Sequence, residues 1–406
     1  MHCIQILTIS CVAVSLSCAR ANAADWPNFR GPNHNGISSE TDWQSKWPAE
    51  GPSALWKVNV GTGFSTVTVA QGRAYTLGNL KDTDTIYCFD TETGRPVWKY
   101  IYPAPLGANL YEGGPSASPT IDGKRVYSFS KQGTLYCLDA EKGSLIWSTN
   151  VAAAVGAEAP NWGYASSALV QDNLLILAIG HYGAAIDKAT GALVWSSGKD
   201  KCGYTTPVPC SANGSPAVVI ESMDAVFGVE AKTGRQLWSF PWKTQYDLNI
   251  SDPIVSGNDV FVSSGYEHGA ALHRFSGSEV PQIWENSKMR NQINSSVLVD
   301  GFVYGVDGQV NGSPATLKCV EFATGTEKWN YSGLGGGALV VAGHKIIMLS
   351  ATGELVFAEA SPQGFTPISR AQVLGGKCWT APTLANGRIY CRNATGDLVC
   401  LDVKVK

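Results

Sequence analysis

Six histidines, eleven cysteines and a scatter of loop acids, amides and aromatic rings are the groups in this 406-residue chain with chemical potential. Their spacing limits what that chemistry is. His181 and His268 stand beside Tyr182 and Gly269, without a partner at metal-ligand spacing. No Cys-x-x-Cys pair, haem-attachment signature, nucleophile elbow or phosphate-cradling glycine loop occurs. What recurs is a mixture of ring, amide and acid: Asn109 with Tyr111 and Glu112; Glu158 with Asn161 and Trp162; Asp247 with Asn249 and Asp252; Asn291 with Asn294; and Trp379. Stacking rings beside convergent carboxylates and amides can hold a quinone, a sugar or a peptide. Asn and Asp are equally ordinary turn formers, so the elements that position them must decide.

Those elements are announced by a repeat. An acid is followed by Gly four residues later and by Trp four after that: Asp90/Gly94/Trp98, Asp139/Gly143/Trp147, Asp187/Gly191/Trp195, Glu230/Gly234/Trp238 and Glu321/Gly325/Trp329. Trp284 divides the one long gap, with Gly277 ahead of it. The acid ends a strand of alternating apolar residues such as TIYCFD or TLYCLD. The segment around the Gly is a turn, and the Trp opens the next strand, where its ring can lie over the turn and the neighbouring blade. Asp122-Gly123-Lys124 and Asn386-Gly387 mark hairpins between two further strands. Four short antiparallel strands in about 45 residues make one propeller blade.

Outer strands at Trp56, Trp98, Trp147, Trp195, Trp238, Trp284 and Trp329, with a degenerate eighth near Ile368, predict an all-β, eight-bladed β-propeller. Seven blades remain the alternative if the segment near Ile368 is irregular. The strand at 54–60 lacks preceding partners and the strands from Cys378 to Val403 lack a following one, so the two ends should share the last blade. The organisation expected is a leader over 1–23, an irregular Pro/Gly/Asn-rich arm over 24–53 lying across the body, and the propeller over 54–406. Ligand-bearing loops should gather on one face, because outer-to-inner connections and second-to-third-strand loops share it.

The leader reading rests on the apolar run Ile4–Leu16 and the small-x-small pattern Ala21-Asn22-Ala23. Cys18 offers a lipoprotein alternative, but Ser15 stands where a large aliphatic residue is expected. The expected location is therefore periplasmic or secreted, with no spanning helix after leader removal. A net charge of −3 and the absence of any Lys/Arg cluster argue against a nucleic-acid groove. Eight cysteines remain after the leader. Cys88, Cys137, Cys319 and Cys400 share one repeat position and read as small buried residues. Two bridges are expected to be testable: Cys391 with Cys400 across a turn centred on Thr395-Gly396, and Cys202 with Cys210.

The repeat, and segments such as WPNFRGPNHNG (26–36), PNWGYASSALV (160–170) and GDLVCLD (396–402), resemble the pyrroloquinoline-quinone-like (PQQ-like) propeller repeat over essentially the whole mature chain. The closer likeness is to secreted members described as similar to the outer-membrane assembly factor BamB. That resemblance implies the fold, and a non-catalytic binding or scaffold role toward other proteins or envelope components. The quinone dehydrogenases of the superfamily imply instead PQQ and Ca²⁺, held beneath a disulfide between adjacent cysteines with Glu, Asn and Asp ligands. No adjacent cysteines exist here and the ligands do not map onto matched positions. A carbohydrate-binding propeller is the third reading.

Overall fold

The computed structural model describes residues 24–48, 50–308 and 315–405; the expected leader lies outside them. Eight four-stranded antiparallel sheets follow one another around an axis. Blades 1 to 7 occupy residues 68–103, 120–150, 169–196, 208–241, 254–286, 297–331 and 337–372. Blade 8 joins the strands of 383–402 to Ala54–Asn59, which pairs with Asp397–Asp402 and sets Trp56 opposite Cys400. Helix among the described residues amounts to one turn at Val151–Val155 and a 3₁₀ segment at Gln245–Asp247.

The repeat residues hold adjacent blades together. Five of the seven outer-strand Trp rings lean onto the following blade's turn with the indole N–H on a carbonyl: Trp56 donates to Thr91 (2.9 Å), Trp98 to Ala140 (3.0 Å), Trp195 to Ala231 (2.9 Å), Trp284 to Phe322 (2.9 Å) and Trp329 to Ser361 (2.7 Å). The motif Gly lies beneath that ring. At Gly143, φ is +69° and an added Cβ would stand 2.5 Å from Trp98, so conformation and space both demand glycine. Gly94, Gly191, Gly234 and Gly325 meet Trp56, Trp147, Trp195 and Trp284 in the same way. The acid closes the turn: Asp90 Oδ1 accepts the N–H groups of Glu92 (3.1 Å) and Thr93 (2.9 Å). Opposite four of the rings the repeat position is a fully buried cysteine: Cys88, Cys137, Cys319 and Cys400 face Trp98, Trp147, Trp329 and Trp56.

Blade 7 departs from this scheme. The turn between Glu359 and Thr366 is longer than the usual one, so the Trp position falls on Ser369 rather than Ile368, with Phe357 at the small position opposite. Size is exchanged between the two sites. The missing ring comes from the arm: Trp43 packs edge-on to Phe357 at 5.1 Å and Trp47 at 4.3 Å, while Ser369 Oγ donates to the Ser45 carbonyl (3.0 Å).

All eight cysteines of the described chain are free thiols, which corrects both expected bridges. The hairpin turn is centred on Thr395 alone, pairing Cys391 with Val399 and Cys400 with Tyr390. One residue of register puts Cys391 and Cys400 on opposite faces of the sheet. Cys202 is buried in the loop before blade 4, whereas Cys210 pairs with Ala217 inside it.

Candidate functional site

The inner strands are stitched by a belt of side-chain oxygens. Backbone N–H groups donate from blade to blade: Thr66 to Ser118 Oγ (3.0 Å), Ser118 to Ser167 Oγ (2.9 Å), Ser167 to Thr206 Oγ1 (3.0 Å), Thr206 to Asp252 Oδ1 (2.8 Å), and Asp252 to Ser295 Oγ (2.9 Å). Register with the second strands places Ala338 and Ala381 at the equivalent positions of blades 7 and 8, which have no oxygen to offer.

The arm enters where the belt stops. Trp26 bridges to Val69 in blade 1 and the Pro27 carbonyl accepts from Ile121 in blade 2 (2.9 Å). Arg30 donates to the Ser296 carbonyl of blade 6 (2.7 Å), with Nε 3.9 Å from Asp252 of blade 5. Ile37–Ser38 then adds a parallel strand to the inner edge of blade 7. Glu40 accepts the N–H groups of Asn386 and Gly387 in the first hairpin of blade 8. The arm thus spans the axis and floors it.

Above that floor lies a funnel of about 290 Å³, at the small end of ligand pockets. Trp26, Phe29 and Arg30 form its base, the belt residues its lower wall, and aromatic loops its mouth. Phe64 contacts Trp379 (5.5 Å between ring centroids) and Tyr111 (5.6 Å) on one side; Trp162 and Tyr204 meet at 6.1 Å on the next. Two ammonium groups flank the mouth, both engaged. Lys131 donates to Tyr111 Oη (2.7 Å), and Lys377, 4.1 Å above Trp379, bridges to Glu112 at 2.8 Å. At the base, burial pushes Asp252 up to about 6, against the pull of Arg30 and the Thr206 N–H. Burial likewise lowers Arg30.

The loop residues read from the sequence divide into three groups. Asn109, Tyr111, Trp162, Asp252, Asn294 and Trp379 line the funnel, and Glu112 reaches its mouth through Lys377. Glu158 and Asn161 are exposed outside it, and Asp247 lies outside with a left-handed backbone. Asn249 and Asn291 are buried struts. The Asn249 amide donates to the Ser222 and Trp242 carbonyls, and Asn291 donates to Val306 and accepts from Ser296. Phe64, Tyr204, the hydroxyl belt and Arg30 escaped the sequence reading. The belt was findable, as the oxygen-bearing residue two before each inner-strand pairing; nothing local marks Arg30.

A quinone carrying several carboxylates needs unspent cations, and Ca²⁺ needs unspent carboxylates. Here Arg30 and Asp252 face each other, so a second cation beside Asp252 meets the guanidinium. Asn249 has its amide nitrogen and oxygen both occupied, the latter by Ser264 Oγ (3.2 Å). Glu221 is buried, which raises it well above the carboxylate range, and neither of its carboxylate oxygens has a hydrogen-bond partner. With Arg30 directed at Asp252 and Lys377 at Glu112, the lining does not fit the several carboxylates of PQQ.

An eight-bladed ring closed by both chain ends, with this acid–glycine–tryptophan seam, is a propeller of the PQQ-like class. The family model described as outer membrane protein assembly factor BamB matches residues 40–114 and 107–331, more than half of the sequence, and the chain belongs to that family. No curated protein matches it. Among solved structures, BamB from Moraxella catarrhalis is similar at 17% identity, covering 87% of this chain and 100% of its own, with a TM-score of 0.62. A quinohemoprotein alcohol dehydrogenase from Comamonas testosteroni is similar at 13% identity (95% and 82% covered, TM-score 0.68). The computationally designed protein Ika8 is similar at 15% identity (87% and 100%, TM-score 0.64). Likeness this distant carries the fold alone.

Proposed function

We propose that the chain is a non-catalytic binding protein acting outside the cytoplasm on proteins or other components of the cell envelope, through the open face of its disc. One observation carries this reading: the axis is floored by the protein's own arm, whose Arg30 occupies Asp252 while aromatic rings crowd the opposite, open mouth. Such a site offers contact surface at its rim and no unspent acid–base pair at its base. The BamB family relation favours the same role.

The test compares envelope extracts retained by the immobilised protein and by mouth and rim variants. Trp162→Ala and Trp379→Ala should lose the same retained species, whereas Ile146→Asp on the outer rim should keep them. Adding PQQ with Ca²⁺ should leave the melting temperature unchanged; near-stoichiometric quinone binding with dye reduction would overturn the reading.

A further inference from the structure

Resting on that reading, we infer that the funnel receives the neutral sugar end of an envelope glycan. Three independent features of the cavity select this chemistry. The first is charge. Its base holds one cation and one carboxylate directed at each other, and the mouth lysines are bound to Tyr111 and Glu112. Lys377 is neutralised by Glu112, and Lys131, whose partners are the neutral Tyr111 hydroxyl and Gly107 carbonyl, is not among the lining residues, so a phosphate or carboxylate meets no unpaired cation on the funnel wall.

The second is the pattern of donors. In the belt, Ser167, Thr206 and Ser295 each use the hydroxyl oxygen to accept a neighbour's N–H. Each hydroxyl therefore keeps its proton to donate, and all three residues line the funnel. Three short O–H donors along one arc of the wall suit a ligand dense in uncharged oxygens.

The third is the mouth. Trp379, Phe64 and Tyr111 form one run of rings in contact, with Trp162 and Tyr204 beside it. Flat π faces accept the C–H face of a pyranose, whose polarised hydrogens meet the negative ring surface. An apolar ligand would leave the donor belt unpaired, and a charged peptide terminus would find no counter-ion. A funnel of about 290 Å³ admits a terminal unit rather than a folded partner.

The experiment titrates the full mature chain with neutral maltotetraose, cellotetraose and chitotetraose, and with anionic tetragalacturonate, by calorimetry and tryptophan fluorescence. One neutral series should bind saturably, and Trp379→Ala and Trp162→Ala should weaken it at least about ten-fold. Both variants replace partly exposed rings, and a melting temperature within a few degrees of wild type confirms that they fold. Ile146→Asp on the rim should bind as wild type. Preference for tetragalacturonate, or no binding of any neutral series, overturns the inference. If envelope material is still lost on Trp379→Ala while no sugar binds, the ligand class is wrong and the binding reading stands. If neither depends on the mouth rings, both fall.

Discussion

Blades 1 to 6 and blades 7 to 8 meet the same requirement, inner strands held together around an axis, by opposite means. In the first arc each blade carries its own oxygen at the belt position and each outer strand but one has a Trp over the next blade's motif Gly or its indole on a neighbouring carbonyl; Trp238 stacks on Phe275 instead. Across the second, Ala338 and Ala381 replace the belt oxygens and Ser369 replaces the ring. A segment more than 300 residues away in the chain supplies the missing strand, carboxylate and tryptophans. Repetition suffices where every unit is complete. Where units are incomplete, the closure is made once, by a part that does not repeat. The arm that repairs the seam also floors the funnel, so ring closure and site construction are one event.

The largest effect should come from removing what repairs the seam. Trp43 is buried against Phe357 and the end of blade 8. Trp43→Ala should cost about 3–5 kcal/mol in urea unfolding. Hydrogen exchange should rise in blades 7 and 8 first; a uniform rise around the ring would break the comparison.

Asp252 sharpens it through pH. Its folded value of about 6 exceeds the ordinary 3.8. The folded chain thus holds a proton that the unfolded chain releases. This stability is fully present below about pH 4 and is lost as pH rises through 6. Asp252→Asn should remove that slope, on the order of 2–3 kcal/mol between pH 4 and 7. His34, lowered to about 4 chiefly by burial, slopes the other way in both proteins, so the difference between their urea midpoints reports Asp252 together with Glu221, which Asp252 helps to raise.

In the belted arc, Ser167→Ala removes one acceptor and leaves the Ser118 N–H unpaired. About 1–2 kcal/mol should be lost, with exchange rising at the junction of blades 2 and 3 and not at the seam. Least of all, Ala338→Ser offers blade 7 the oxygen it lacks. Because the arm strand already holds that blade, the unfolding midpoint should move by less than about 0.5 kcal/mol. A gain comparable to the Ser167→Ala loss would show that the belt, not the arm, limits the seam.

The repeat made most of this architecture legible. Asp90, Gly94 and Trp98 are spaced by the physics of one turn beneath one ring, so the same spacing recurs wherever that turn does. Blade 7 was misread by a residue because its longer turn keeps Gly364 four before Ile368 while moving the ring site to Ser369. Seven of the twelve loop residues singled out reach the funnel or its mouth. Asn249 and Asn291 show why the others do not: an amide in a tight connection is as valuable for tying carbonyls together as for touching a ligand. Arg30 was invisible for a different reason. Its partners are Asp252 and the Ser296 carbonyl, and no periodicity relates a segment used once to positions over 200 residues downstream.

Blade 8 takes one strand from near the start of the chain and three from its end. During synthesis Trp56 can reach Gly94 and Thr91 of blade 1 early, but its contacts with Tyr390 and Cys400 wait for the last strands, and Trp43 waits for Phe357 of blade 7. Loss of the strand Asp397–Asp402 would leave Trp56 without its Cys400 partner while its contact with blade 1 remained. Closing blade 8 and covering Trp56 on both sides are therefore one late step of folding.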